Sequence, residues 1–140
     1  MASEPLAARA KAQAYAMGFD LAGVAALGAP DTVSSFDAWL AGGYAGEMHY
    51  LERGAELRRD SRRPEPGMRS AVVVAMNYGG TQPPGPIARY ARGDDYHGVM
   101  RERLDELGRW FTAASGGAAR TRAFVDTGPV LERDLARRAG

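Results

Sequence analysis

Asp126 closes four residues of strand character, Arg122-Ala123-Phe124-Val125, and is followed at once by Thr127-Gly128-Pro129. A carboxylate at a strand end stands where open sheets gather ligands, and there it can give or take a proton. It can equally form a turn, although Thr127 and Gly128 stand nearer to the cap. A second group of reactive side chains lies in "YARGDDYHGVM", residues 90–100. Asp94 or Asp95 suits the cap of the helix that starts there, while Tyr96 and His97 can face a ligand at its N-terminus, where partial positive charge favours an anion. The third place is the loop "LRRDSRRPEPGMRS", which packs Arg58, Arg59, Arg62, Arg63 and Arg69 into twelve positions. Guanidinium forks match phosphates and carboxylates, and a solvated charged loop is the plain alternative.

Other chemistries are poorly supported. The chain has no cysteine, which excludes disulfides, thiol nucleophiles and the usual ligands of iron–sulfur clusters and structural zinc. Its two histidines, His49 and His97, fit no HxxxH or HExxH spacing, so no metal site is expected. Neither a GxSxG elbow nor a nucleotide-binding GxGxxG or GxxxxGK[ST] motif occurs. The formal net charge is +1, and lysine appears once, at Lys11, among 18 basic residues. No global field therefore draws the chain to nucleic acid. Apolar runs stop well short of the roughly 18–20 residues of a membrane span, and the N-terminal stretch lacks the form of a signal peptide. A cytoplasmic protein is the expectation.

The elements that must position these residues follow from periodicity and punctuation. The 140 residues, 45% of them hydrophobic, suffice for one domain with its own core. Residues 5–17 form an alanine-rich amphipathic helix ending at Gly18, and Leu21–Ala26 a short strand. A helix from Val33 carries Phe36, Trp39 and Leu40 on one face up to Gly42-Gly43, and another covers Met48–Leu57. Ser70–Gly79, "SAVVVAMNYG", is apolar on both faces and reads as a central strand. After the "GTQPPGP" breaker, a short extended piece and a turn at Gly93-Asp94 lead to the longest helix, Tyr96–Ala114. "RTRAFVDT" is read as a last strand, and Pro129 as the first position of a final helix. The predicted class is α/β of the α+β type, with at least three strands in a mixed sheet flanked by helices.

Four stretches in fixed order, "GEMHYL", "PGMRSAVVVAMNY", "IARYARGDDYH" and "VDTGPVLER", resemble the N-terminal region of epoxyqueuosine reductases. The likeness runs from about Gly18 to the last residue. It implies a nitroreductase-like, cobalamin-binding domain of an oxidoreductase that removes the epoxide oxygen of epoxyqueuosine in the tRNA anticodon loop, a family related to reductive dehalogenases. It also implies roles. Asp126 matches the proton donor beside the cobalt face, and so also a residue at the cofactor. Arg58, or Arg59 in so repetitive a loop, and Ala88, through its backbone, match positions that touch cobalamin. Tyr96 and His97 belong to a family motif, without an assigned role.

The family continues with a "GLGWxGKN"-like stretch, cysteine motifs for two [4Fe-4S] clusters and often helical repeats. Against that pattern the chain is expected to be a fragment, with residues 1–140 the N-terminal part of the cobalamin-binding reductase domain, inactive alone and weak in cobalamin affinity. The absence of cysteine keeps a second reading open, a non-catalytic module carrying a corrinoid or flavin. A third is an RNA-binding protein that uses the arginine loop with its aromatic neighbours.

Overall fold

The structure, a computed structural model, describes residues 4–140. In chain order it contains α1 (Leu6–Ala16), β1 (Leu21–Ala26), α2 (Val33–Ala41), α3 (His49–Arg53), α4 (Ala55–Arg58), β2 (Ser70–Ala75), a 3₁₀ turn (Arg89–Ala91), α5 (Tyr96–Ala114) and α6 (Glu132–Ala139). β1 and β2 pair with each other, and among the described residues no further strand joins them. Flanking bonds from Asp20 N to the Ala75 carbonyl and from Leu27 N to the Arg69 carbonyl, each 2.9 Å, fix the pair as antiparallel. The fold is therefore α+β with a two-stranded antiparallel sheet, not a mixed sheet of three or more strands. β2 ends at Ala75 and has one partner, so the apolar 70–79 run is not a central strand.

The chain divides into two compact units: residues up to Ala22 with Val74–Thr127, and Gly23–Val73 with Gly128–Gly140. In the first unit α1 packs on α5. Ala10 and Ala14 are the buried residues of α1 and Leu107 that of α5, and small side chains on one helix let the other approach closely. The Arg9 guanidinium lies over the Trp110 ring, 5.8 Å from its centroid. Two residues past the end of α1, Gly18, with a φ of 88°, turns the chain toward β1. Asp95 caps α5, its side chain accepting from the His97 backbone N–H at 3.0 Å.

The segment read as a last strand is extended but unpaired with any strand, and α5 explains why. Thr121 sits against Gly108, where a Cβ would fall 2.7 Å from its Oγ1. The Ala123 carbonyl accepts from Arg101 Nη1 at 3.1 Å, and the side chain of Asp126 meets the hydroxyl of Tyr96. From Gly108 back to Tyr96 is roughly 18 Å of helix. Thr121 to Asp126, fully extended, spans roughly 17 Å. The segment thus lies antiparallel along α5 and finds its polar partners on helix side chains, so an apolar run gives extension here without a ladder.

In the second unit the organising group is a buried carboxylate. Asp134 of α6 accepts from both the backbone N–H and the hydroxyl of Thr32, each at 3.1 Å, at the start of α2. Its other oxygen lies 3.5 Å from Arg138 Nη1, while Arg138 Nη2 donates to the Ala26 carbonyl at 2.5 Å. The last turn of α6 reaches β1 at Gly23, where any Cβ would lie 2.5 Å from the Ala139 carbonyl oxygen. Ala25, Ala45, Ala55 and Leu135 are buried around this frame. Helix α6 begins at Glu132 rather than at Pro129, its N-cap Leu131 offering no side-chain bond. The region expected to form one helix over 48–57 is two, interrupted at Gly54.

Replacing Asp134 by Ala should lower the stability of the second unit by about 1–3 kcal/mol, because the Thr32 donors and the part-buried Arg138 guanidinium lose their shared buried acceptor. Urea unfolding of the 140-residue chain measures it. An unchanged midpoint would show that Asp134 does not organise this unit.

Candidate functional site

Asp126 is the one described residue other than glycine with a positive φ, at 53°. The Thr127 N–H reaches back to the Val125 carbonyl at 2.5 Å, closing a three-residue turn around it. Such a backbone costs of order 1–3 kcal/mol for a residue with a side chain. Glycine would sit there without strain, and among acids Asp tolerates the region best. The turn lifts the carboxylate off the end of the extended segment, with its side chain 55% exposed.

Helix α5 supplies what surrounds it. The Tyr96 hydroxyl donates to Asp126 Oδ2. That bond, with burial and the charge of Asp126 behind it, pushes the Tyr96 phenol up to about 12. His97 stacks on Tyr96 with centroids 4.1 Å apart, and its Nε2 lies 4.0 Å from the same Oδ2. On its other side, His97 Nδ1 lies 2.9 Å from Asp95 Oδ1. The His97 ring and backbone N–H together hold the Asp95 carboxyl below its usual range. Oδ2 of Asp126 is thus occupied, whereas Oδ1 has no partner among the described residues. A protonated Asp126 can present its acid proton through Oδ1 while Tyr96 steadies the other oxygen. When the proton leaves, the Tyr96 O–H stabilises the carboxylate that remains.

Ala88 lies in the same unit, just before the 3₁₀ turn that replaces the expected extended piece. Its carbonyl accepts from Ala91 N at 3.0 Å, and its own N–H makes no backbone hydrogen bond among the described residues. Tyr90 within this turn contacts Tyr96 edge-on at 5.8 Å, and Tyr78 contacts Tyr90 at 6.0 Å. This row of rings escapes a reading by local spacing, because 78, 90 and 96 meet only once the chain has folded. Asp94 caps nothing; of the two alternatives, Asp95 is the cap.

The arginine loop belongs to the second unit and is not an open basic patch. Arg59 pairs with Asp37 at 3.0 Å and with Glu56, Arg62 with Asp60, and Arg63 with Glu56 at 2.8 Å. Arg62 beside Asp60 brings that carboxyl down to about 2. Asp60 lies in the loop, Glu56 just before it and Asp37 on α2, so counting arginines alone overstates the charge. Nor is the loop wholly on the surface: Ser61 is buried, its Oγ accepting from Gly28 N and donating to Gly28 O, both at 2.9 Å.

Arg58 differs from its neighbours. It is only 8% exposed, its backbone N–H donates to the Gly54 carbonyl at 3.2 Å, and its guanidinium forms no ion pair among the described residues. Its guanidinium rests against Gly54, where a Cβ would lie 2.2 Å from Nη1. Glycine at 54 therefore both breaks the α3–α4 helix and makes room for the Arg58 guanidinium. Asp126 and Ala88 share one unit, and Arg58 lies in the other.

Known proteins carry the same pattern. The family described as epoxyqueuosine reductase QueG, DUF1730, matches residues 58–127, half of the chain. The epoxyqueuosine reductase of Gloeobacter violaceus is 43% identical over 143 residues, covering 97% of this chain and 44% of that protein. The Escherichia coli enzyme of the same name is 33% identical over 153 residues, covering 99% of this chain and 40% of its own. Among solved structures, an epoxyqueuosine reductase with an epoxyqueuosine-modified tRNA-Tyr stem loop superposes with a TM-score of 0.72 at 27% identity, over 95% of this chain and 37% of that one. A selenomethionine-labelled epoxyqueuosine reductase gives 0.74 at 26% identity, over 95% and 38%. The chain spans less than half the length of each of these relatives. The matched segment begins at the buried cation Arg58 and ends one residue past Asp126, and on these grounds the chain belongs to the epoxyqueuosine reductase family.

Proposed function

We propose that this chain forms the cofactor-facing, proton-donating part of an enzyme that reduces epoxyqueuosine to queuosine in the anticodon loop of tRNA. The observation that carries the reading is Asp126, a carboxylate held on a strained turn with one oxygen engaged by Tyr96 and the other free. The overall change takes two electrons and two protons: the epoxide loses its oxygen as water and its two carbons are left doubly bonded. As a carbon–oxygen bond breaks, negative charge gathers on oxygen. A proton from Asp126 Oδ1 meets that charge, and such a donor typically speeds the step by about 10²–10⁴. Tyr96 then holds the resulting carboxylate.

The residues fit cobalamin as the partner. Arg58, largely buried and in no ion pair among the described residues, suits an anionic or carbonyl edge, and the Ala88 N–H, which makes no backbone bond among them, can donate. Asp126 lies at the same cofactor in this reading. Bound cobalamin would supply strongly reducing, nucleophilic cobalt. Since the chain has no cysteine, the [4Fe-4S] clusters that renew those electrons belong to the rest of a complete reductase. The reading assigns the helix-flanked strand pair to a nitroreductase-like cofactor domain in a cytoplasmic enzyme. No described helix is long and apolar enough to cross a membrane.

Asp126→Asn in a complete reductase carrying this segment should lower turnover by about 10²–10⁴ while the corrinoid absorption spectrum is retained. Full turnover in that variant would remove Asp126 from the mechanism. Arg58→Met should weaken cobalamin binding by roughly 10–100-fold, as expected for a lost charged hydrogen bond, with Arg59→Met causing far less. Equal effects of the two would sink the assignment to Arg58.

Tyr96 gives a pH signature in the isolated chain. Its pKa is raised, so the stabilisation from its bond to Asp126 is complete below the ordinary phenol value of 10.0 and is lost as pH rises through about 12. Phenolate absorbance compared between the native chain and Tyr96→Phe should show that the missing tyrosine is one titrating near the upper value. A missing component near the ordinary value would refute the bond.

A further inference from the structure

Once Asp126 has given up its proton it must be reloaded, and its surroundings limit how. Tyr96 donates to Oδ2, and a phenol raised to about 12 keeps its own proton near neutrality. His97 is the remaining proton-carrying group at the carboxylate, with Nε2 4.0 Å from Oδ2. It is also reachable from solvent, its side chain being 42% exposed.

The ring is held from two sides. Asp95 Oδ1 sits 2.9 Å from Nδ1, and the same oxygen accepts the His97 backbone N–H at 3.0 Å. Tyr96 stacks on one face at 4.1 Å, and Tyr90 in turn packs edge-on against Tyr96. Arg101, one turn further along α5, is directed to Asp105 and to the Ala123 carbonyl. The carboxylates brought to the ring are therefore Asp95 on Nδ1 and Asp126 on the Nε2 side. With Asp95 ionised, Nδ1 carries the hydrogen, which leaves Nε2 as the nitrogen whose proton comes and goes.

We propose that His97 is the proton relay that recharges Asp126, with Asp95 fixing its tautomer and orientation. The proposal rests on the reading of Asp126 as the proton donor. In the step, the Nε2–H bond of the imidazolium breaks and an O–H bond forms on the Asp126 carboxylate. Neutral His97 then takes a proton from solvent, and no electrons are transferred. The 4.0 Å separation is longer than a direct hydrogen bond, so one bridging water or a small swing of the ring completes the path. His97 acts through Asp126 and is a positioning residue in that sense, not the group that touches the substrate.

The first test uses the 140-residue chain. Nitrogen-resolved NMR of its imidazoles, with His49→Gln to identify the signal, should show neutral His97 hydrogen-bearing at Nδ1. Hydrogen residing mainly on Nε2 would overturn the arrangement. The second uses His97→Asn in a complete reductase carrying this segment, since Asn keeps a donor toward Asp95 but cannot relay a proton. The kcat should fall roughly tenfold or more with KM for the tRNA stem loop little changed, the pH profile should lose one ionisation, and added imidazole should restore part of the rate. A pH profile superimposable on that of the unaltered enzyme, or a fall in kcat that imidazole does not relieve, would overturn the relay. Asp126→Asn, run in parallel, separates the two ideas. If that variant is inactive while His97→Asn behaves as the unaltered enzyme, the relay alone fails. If Asp126→Asn turns over fully, the underlying reading fails with it.

Discussion

The hydrogen bond from Tyr96 to Asp126 joins the first residue of the longest helix to the end of the segment that lies along it. Much of the first unit is arranged so that this bond can form. Gly108 lets Thr121 approach the helix, Arg101 takes the Ala123 carbonyl, and Asp95 starts α5 so that Tyr96 and His97 stand side by side at its N-terminus. The strained turn at Asp126 is the remaining part. Its cost is tolerable because the helix fixes both the backbone before it and the side chain upon it.

The second unit solves a different problem, that of keeping charge inside. Asp134 is satisfied by Thr32 and by Arg138, so its burial is that of a complete network. Arg58 is largely buried too, beside a glycine that makes room for it. Of the five arginines of the loop it alone is buried. The structure thereby separates Arg58 from Arg59, which repetition in the sequence left equivalent.

How much was legible in the sequence depended on whether the signal was local. Leu21–Ala26 and Tyr96–Ala114 were read with the bounds they have, because short-range periodicity, a capping acid at Asp94 or Asp95 and glycines at the ends settle such elements. The acid at 126 stood out for its position after an apolar run, and the ordered motifs pointed to the family. What failed needed tertiary information. "RTRAFVDT" has strand composition, yet its partners are helix side chains; Pro129 permits a helix start, yet the helix waits until Glu132. The Arg-rich loop left anion binding and a solvated charged loop both open, because Asp37, Glu56 and Asp60 could be matched to particular guanidiniums only in three dimensions. The roles of Tyr96 and His97 were invisible for the same reason, since the carboxylate they meet lies thirty residues away in sequence.

The central claim is that Asp126 meets the epoxide oxygen through its free oxygen while Tyr96 holds the other. A structure of a complete reductase carrying this segment, with corrinoid and an epoxyqueuosine-bearing stem loop bound, tests it most directly. The account predicts Asp126 Oδ1 at about 2.6–3.2 Å from the epoxide oxygen, or one water away, with the Tyr96 bond intact. An epoxide met by a different acid, with Asp126 out of reach, would contradict it.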